Sequence, residues 1–318
     1  MDKTTKKPLV SIILPIYNEE ENILELYRRL TLVLRQLSIQ QRGNNDSYEI
    51  IMVNDGSTDS SWQLIKDLHS RDLNIKGVCF SKNFGHHAAL TAGLDHAKGQ
   101  INIIMDADLQ AQPEDIPKAV AKIKEGYNIV WAVSPKRQDS FIINLGSKIF
   151  YWLMNHIASI KLPENIVFMC FDELAANAIR SFKEKKQLPS GIWSEIGFKR
   201  GIITVEKKER QYGVVKYNFF KRSRVLVKGV ISYSKFPLFF VTILGLCLSC
   251  VSFMVGIYML YLKFFIGIPI SGYASIIVSI TMLSGVQLIA LGIIALYISI
   301  VFDEVKGRPI YIVEEILE

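Results

Sequence analysis

The stretch INIIMDADLQAQPEDI, residues 101–116, sets an apolar run against two aspartates one residue apart, Asp106 and Asp108. A short run of Ile and Met closed by polar residues reads as a buried strand. Pro113, Glu114 and Asp115 then open a helix that continues to Glu125, where Gly126 stops it. Residues i and i+2 of an extended segment share one face, so both carboxylates can converge on one object past the strand end. Two negative charges that close repel each other unless a cation sits near them. An oxygen-only donor set suits Mg²⁺ or Mn²⁺, which keep positions open for water and phosphates, and Gln110 can add a carbonyl oxygen. The plainer reading, that the aspartates cap the helix or hold a turn, stands beside this one.

The same pattern repeats upstream. LVSIILP (9–15), YEIIMVND (48–55) and IKGVCFS (75–81) are apolar or β-branched runs ending in polar residues, as INIIMDAD (101–108) is, and all four read as buried parallel strands. Between them, 19–37, 60–72 and 85–97 carry apolar residues at helical intervals, with Ser57, Thr58 and Asp59 supplying an N-cap for the second. YNIVWAV (127–133) returns as a strand. The pattern is that of an α/β open sheet, which takes ligands at the carboxyl ends of its strands. Tyr17, Asp55, Lys82 and the Asp106/Asp108 pair all fall at such ends. No GxxxxGK[ST] and no GxGxxG follows a strand, which argues against a P-loop hydrolase and a dinucleotide dehydrogenase.

The composition changes at Phe236. Residues 236–262 and 274–302 carry no charge, and each run exceeds the ~20 residues that cross a bilayer core, so both read as transmembrane helices. The loop between them holds one lysine, whereas the approach 216–235 holds Lys216, Lys221, Arg222, Arg224, Lys228 and Lys235. The positive-inside rule then assigns the large N-terminal domain and the tail 303–318 to the cytoplasm. The approach also interleaves cations with Phe219, Phe220, Val225, Leu226 and Val227 and reads as an amphipathic interfacial helix, the alternative being a solvated helix that precedes a span. Domain limits follow at 1–215, 216–235, 236–302 and 303–318. A net charge of +7 is explained by an anionic membrane surface, so nucleic acid is not needed as a partner. The N-terminal apolar run is broken too soon by Pro15 for a signal peptide. Cys79, Cys170, Cys247 and Cys250 suggest neither a disulfide framework nor a zinc site; a reducing compartment fits, with Cys247 and Cys250 as packing residues.

SIILPIYNEEENI (11–23), VNDGSTDSSW (53–62), SKNFGHHAALTAGLDHAKG (81–99) and MDADLQAQPEDI (105–116), in this order and spacing, resemble the inverting family 2 glycosyltransferases of GT-A fold. FGHHAAL, the paired spans and KGRPIY in the tail resemble in particular the polyprenyl-phosphate glycosyltransferases, the group of bactoprenol glucosyltransferases and dolichol-phosphate mannose synthases. The resemblance implies a nucleotide-sugar donor, UDP-linked, with Pro15, Tyr17 and Glu19 holding the nucleoside and Asp55 accepting a hydrogen bond from the base. Asp106, Asp108 and Gln110 become the metal and diphosphate site, with Mg²⁺ or Mn²⁺ as cofactor. Arg137 with Lys136 becomes the grip on the phosphate of an undecaprenyl-type acceptor, and Asp108, Lys136 and Arg137 the catalytic set. A phosphate nucleophile is already ionised and needs no general base. Gly85, His86 and His87 read as structural. The resemblance further implies a multi-pass protein of the cytoplasmic membrane that can form homo-oligomers.

Departures accompany it. Ala111 and Gln112 stand where relatives write Asp and Pro, NIVFMCFDE (165–173) where they write GDFR, and Ser134 where arginine is frequent. They motivate an alternative, a nucleotide-binding membrane scaffold of weakened activity. A processive polysaccharide synthase, which shares the fold, would carry QxxRW and further spans, and neither occurs here.

Overall fold

The computed structural model describes residues 7–40, 48–135, 163, 165–182, 196–208, 236–262, 265 and 272–318. These fall into two compact units: one holds the described residues up to 208 together with Pro309–Glu318, the other the described residues from 236 to Arg308. In the first unit β1 (Val10–Ile16), α1 (Glu20–Gln40), β2 (Tyr48–Asn54), α2 (Ser61–Arg71), β3 (Ile75–Phe80), α3 (His86–His96) and β4 (Ile101–Met105) alternate. A 3₁₀ turn (Pro113–Asp115) leads into α4 (Ile116–Lys124), and β5 (Ile129–Val133), β6 (Ile166–Asp172), α5 (Glu173–Ser181) and β7 (Arg200–Thr204) follow. The second unit contributes α6 (Phe236–Tyr261) and α7 (Tyr273–Val305), after which β8 (Val313–Leu317) belongs again to the first.

One eight-stranded sheet runs in the order β7-β5-β6-β4-β1-β2-β3-β8. β1, β2 and β4 are buried along their whole length, which is why they are written as mostly apolar runs, with Ser11, Glu49, Asn54 and Asn102 as their buried polar residues. Alternate side chains feed opposite layers. Ile12, Leu14, Ile50, Met52 and Ile103 pack with Ile23, Leu26, Leu30 and Leu34 of α1, Ile65 of α2 and Val120 of α4. Ile13, Ile51, Val53 and Ile104 meet the alanines of α3 and α5 on the other face. Here small residues let the helix approach closely, since a Cβ on Gly93 would lie 2.3 Å from Ile13 Cγ2.

The expected parallel strands are found: β1 pairs in parallel with β2 and β4, and β2 with β3. One difference from the sequence reading and two features it did not address are informative. β4 ends at Met105, so both aspartates lie beyond the strand rather than within it. β5 does not neighbour β4, because β6 enters between them antiparallel to both; IVFMCFD is apolar enough for a covered position, but a pattern does not name its neighbours. The tail also adds a strand to this sheet.

β8 pairs antiparallel with the edge of β3, matching Gly77 with Leu317 and Val78 with Ile316. Tyr311 Oη donates to Asp95 Oδ2 at 2.9 Å, its ring stacks on Phe80 with centroids 5.0 Å apart, and Trp62 Nε1 donates to Glu315 Oε2 at 2.9 Å. Burial and the Asp95 charge hold the Tyr311 phenol above its usual range. An exposed edge strand recruits foreign strands, and β8 covers this one.

In the second unit, segments of both helices, Pro237–Tyr258 and Met282–Val305, are long and apolar enough to cross a membrane. Their large side chains face outward, with Phe253 at 70% and Leu288 at 69% exposure. Water disfavours so continuous an apolar surface, whereas lipid tails suit it.

Deleting residues 313–318 is expected to lower the thermal midpoint of the first unit and to make β3 amides exchange rapidly. Hydrogen-exchange mass spectrometry of peptides covering 75–80 checks this; unchanged protection there would contradict the pairing.

Candidate functional site

The strand order reverses at β1, with β2 and β3 on one side and β4 on the other. The crevice outside the carboxyl ends of β1 and β4 is therefore the topological switch point, where open α/β sheets take their ligands. β1 outruns its neighbour there: its pairing with β4 stops at Ile13–Ile104, while its pairing with β2 continues to Ile16–Asn54. Pro15 sits in that overhang. The Ile16 carbonyl accepts from Asp55 N–H on the β2 side, so the neighbouring Pro15 faces the β4 side, where pairing has ended and a missing N–H costs nothing. Pro15 itself is buried, and it shapes the strand end.

The loops that rise from these ends are tied to one another by side chain to backbone bonds. Asn18, with φ 55°, donates its N–H to Ser57 Oγ at 3.0 Å and accepts at Oδ1 from Thr58 N–H at 2.8 Å. Asp59 accepts from Ser61 N–H at 3.0 Å and from Glu20 N–H at 3.2 Å, while Glu20 Oε2 accepts from Ser60 N–H at 2.9 Å. Glu19 donates its N–H to Ser61 Oγ at 3.1 Å and accepts from Asn22 Nδ2 at 2.6 Å. The starts of α1 and α2 thus cap each other, satisfying N–H groups that neither helix can satisfy internally. The cap expected among Ser57, Thr58 and Asp59 falls instead on Ser60, which makes no side-chain cap bond; Asp59, one residue before it, accepts from the first N–H group of each helix. Tyr17, beside this network, is 40% exposed.

Asp55 takes the third loop. It is 3% exposed, and it accepts from Phe84 N–H at 2.7 Å and from Gly85 N–H at 3.0 Å. Burial pushes its carboxyl above the usual range, and the two amides pull it back. The loops press together at Gly56, whose φ is 63° and where a Cβ would lie 2.4 Å from the Lys82 carbonyl carbon. Lys82 is exposed, its ammonium 5.2 Å from the Phe84 ring centroid.

At the end of β4 the side chains of Met105, Ala107, Leu109 and Ala111 are buried, while Asp106 is exposed and Asp108 and Gln110 are partly so. The alternation turns both aspartates and Gln110 away from the core, as the i, i+2 argument expects. The backbone does not stay extended, however: Leu109 adopts φ 60°. Asp108 Oδ1 accepts from Gln110 N–H at 3.2 Å, and the Gln110 carbonyl accepts from Lys208 N–H at 3.1 Å. His86, the first residue of α3, brings Nε2 to 3.6 Å from Asp106 Oδ1. Read from the sequence as structural, this histidine meets a carboxylate that lies past the end of another strand, a contact that no sequence pattern signals.

Among the described residues no three His, Cys, Asp or Glu side chains are grouped to enclose a metal. Two carboxylates on the open side of a crevice nevertheless fit a hard cation that draws the rest of its shell from water and phosphates. Ala111, where an acid was missed, is 1% exposed within the core. Lys136, Arg137 and the segment 216–235 lie outside the described residues.

Residues 11–202 match the family described as glycosyl transferase family 2. An uncharacterised glycosyltransferase of Synechocystis sp. is 37% identical over 309 residues, covering 96% of this chain and 95% of that protein. The bactoprenol glucosyl transferase of Shigella phage SfII is 34% identical over 308 residues, covering 96% and 97%. Among solved structures, glucosyl-3-phosphoglycerate synthase of Mycobacterium tuberculosis, in complex with Mn²⁺, UDP and glucosyl-3-phosphoglycerate, superposes with a TM-score of 0.50 at 15% identity, covering 71% of this chain and 80% of that one. At that identity the likeness concerns the GT-A fold.

Gly56→Ala is expected to destabilise the first unit by about 1–3 kcal/mol, since a left-handed φ and a backbone collision act together. Chemical denaturation of wild type and variant measures it, and an unchanged midpoint would show that the loops are not packed as described.

Proposed function

The chain belongs to glycosyl transferase family 2, and on that premise we propose that it moves a sugar, with inversion, from a UDP-linked donor to a polyprenyl phosphate at the cytoplasmic face of a membrane. The observation that carries the reading is the Asp106/Asp108 pair on the open side of the β1–β4 switch point. The acceptor half draws support from near-full-length likeness to a bactoprenol glucosyl transferase and from two apolar helices.

In this reading the nucleoside lies over the ends of β1 and β2. The exposed Tyr17 ring stacks on the base, Asp55 accepts from a base N–H, and Glu19 and Pro15 shape the wall. Asp106 and Asp108, with Gln110, hold the diphosphate end through a divalent cation. When bound, Mg²⁺ or Mn²⁺ would neutralise the charge that builds on the departing diphosphate. Lys136 and Arg137 bind the acceptor phosphate, for which a guanidinium fork is suited. A phosphate oxygen supplies the electron pair for the new bond to the anomeric carbon, the bond from that carbon to the UDP oxygen breaks, and UDP leaves with the pair. No proton must be removed from the nucleophile, so this reading asks for no general base.

Membrane topology supports the same reading. β8 is paired with β3, so the chain must return, after α6 and α7, to the side of the bilayer from which it left. Two crossings satisfy this and one does not. We assign 1–215 to catalysis, 216–235 to the lipid interface and 236–302 to the anchor.

Membranes containing the wild-type chain, given undecaprenyl phosphate and a panel of UDP-sugars, are expected to yield one glycosyl-phospholipid by mass spectrometry. Asp108→Ala should lower that rate by on the order of 10²–10³-fold, the scale seen when one charge-stabilising group is removed. Chelation should abolish turnover, and Mn²⁺ or Mg²⁺ should restore it. Wild-type rates from the Asp108 variant would remove the metal site from the proposal.

A further inference from the structure

We propose that Arg29 and Gln112 are positioning residues: they hold the turn that carries Asp106, Asp108 and Gln110 in its strained shape, and so set how tightly the site binds a divalent cation together with a nucleoside diphosphate. The inference rests on the donor-site reading above and adds two side chains outside the carboxylate pair.

It starts from Leu109. A bulky residue rarely adopts φ 60°, and this one is 3% exposed, so the turn after Asp108 persists only where its surroundings over-determine it. Gln112 supplies that constraint. Its side chain is buried and reaches back over the turn, with Nε2 donating to the Leu109 carbonyl at 3.1 Å and to the Gln110 carbonyl at 3.4 Å. Its backbone is extended, at φ −94° and ψ 118°, as a residue before proline must be, so the side chain starts from a fixed place.

The amide's remaining polar atom, Oε1, accepts from Arg29 at 2.7 Å. Arg29 projects from the middle of α1, its side chain only 14% exposed, and its fork also closes on the two oxygens of Glu114, one of them at 3.0 Å. That fork holds the Glu114 carboxyl below its usual range. A bidentate arginine fixes direction as well as distance. The connection reaches the carboxylate directly. Gln110, whose carbonyl Gln112 holds, donates its own N–H to Asp108 Oδ1 at 3.2 Å, so a relaxed turn would shift an Asp108 oxygen with it.

A merely structural role predicts lower stability with unchanged affinity in whatever remains folded. A positioning role predicts weaker binding in protein that is still folded. The test uses the full chain in detergent with UDP and no acceptor, following Mn²⁺ binding by loss of the free-ion electron paramagnetic resonance signal, with thermal melting of each preparation alongside. Gln112→Met keeps length and volume but removes the amide, and Arg29→Met removes the fork. Each is expected to weaken Mn²⁺ binding about tenfold, as loss of a partner behind a metal ligand does. The double variant should be no weaker than the worse single one, because both act through one contact. Gln112→Glu should also bind weakly, since it strengthens the Arg29 contact while turning a carboxylate oxygen toward two carbonyls. Arg29→Lys, mild enough to fold in any case, should retain part of the affinity. Wild-type affinity in the single variants, or fully additive losses, would overturn the positioning role alone. Failure of the wild type to bind Mn²⁺ with UDP would overturn the donor-site reading and this inference with it.

Discussion

Everything at this site depends on how a parallel sheet must be connected. A crossover from one parallel strand to the next lays a helix on a face of the sheet, and reversing the direction of strand addition at β1 leaves a gap that no crossover covers. The gap is rimmed by loops, and loops with uncapped helix starts carry polar groups that must be satisfied. Here the satisfaction is mutual: Asn18 with Thr58, Asp59 with Glu20 and Ser61, Asp55 with Phe84 and Gly85. The carboxylates that appear as motif letters in the sequence are therefore partly framework. Asp55 shows this most plainly, because a buried acid whose charge is disfavoured by desolvation is retained where it orders the loop leading into α3. A role toward a nucleoside base, as proposed, would be added to that one.

The three-layer packing explains why the framework stays rigid. β1 sends Ile12 and Leu14 into one layer and Ile13 into the other, so neither face of the central strand can move without opening a core. On the α3 side the contact is closest, at Gly93 against Ile13, and α3 begins at His86, beside Asp106. The helix that crosses from β3 to β4 thereby brings an imidazole from one end of the crevice to the carboxylate at the other.

Much of this was legible in the amino-acid order, for definite reasons. Mostly apolar runs such as VSIILPI and INIIM are what doubly covered strands require, and the polar residue after each run marks the strand's carboxyl end. Helix limits at 60–72 and 85–97 fell within a residue or so of those found because the apolar period is bounded on both sides by turn residues. What could not be read is whatever depends on contacts distant in sequence. VEEIL carries two acids in five residues and gives no alternating strand signal, yet it forms β8, and its Glu315 meets Trp62, 253 residues away. The insertion of β6 between β4 and β5 is a choice of neighbour, and hydrophobicity does not encode neighbours. Arg29 and Gln112 lie 83 residues apart and no motif pairs them; only coordinates join them.

On the proposed reading the crevice must bring a diphosphate and a lipid phosphate together, and at short range their repulsion opposes the reaction until positive charge intervenes. At the end of β4 the described rim offers two carboxylates, Asp106 and Asp108, with His86 Nε2 3.6 Å from Asp106. A divalent cation on the carboxylates reverses the sign at the donor side, which is the physical reason for placing acids where anions must bind. The acceptor side then needs cations of its own. Lys136, Arg137 and the basic segment 216–235 supply them in the sequence, and the excess behind a net charge of +7 lies largely there. Such an arrangement separates the two tasks. Donor affinity follows metal occupancy and the shape of the Leu109 turn, whereas acceptor capture follows ionic strength and membrane charge, because exposed basic residues are screened by salt and a carboxylate-bound ion much less so.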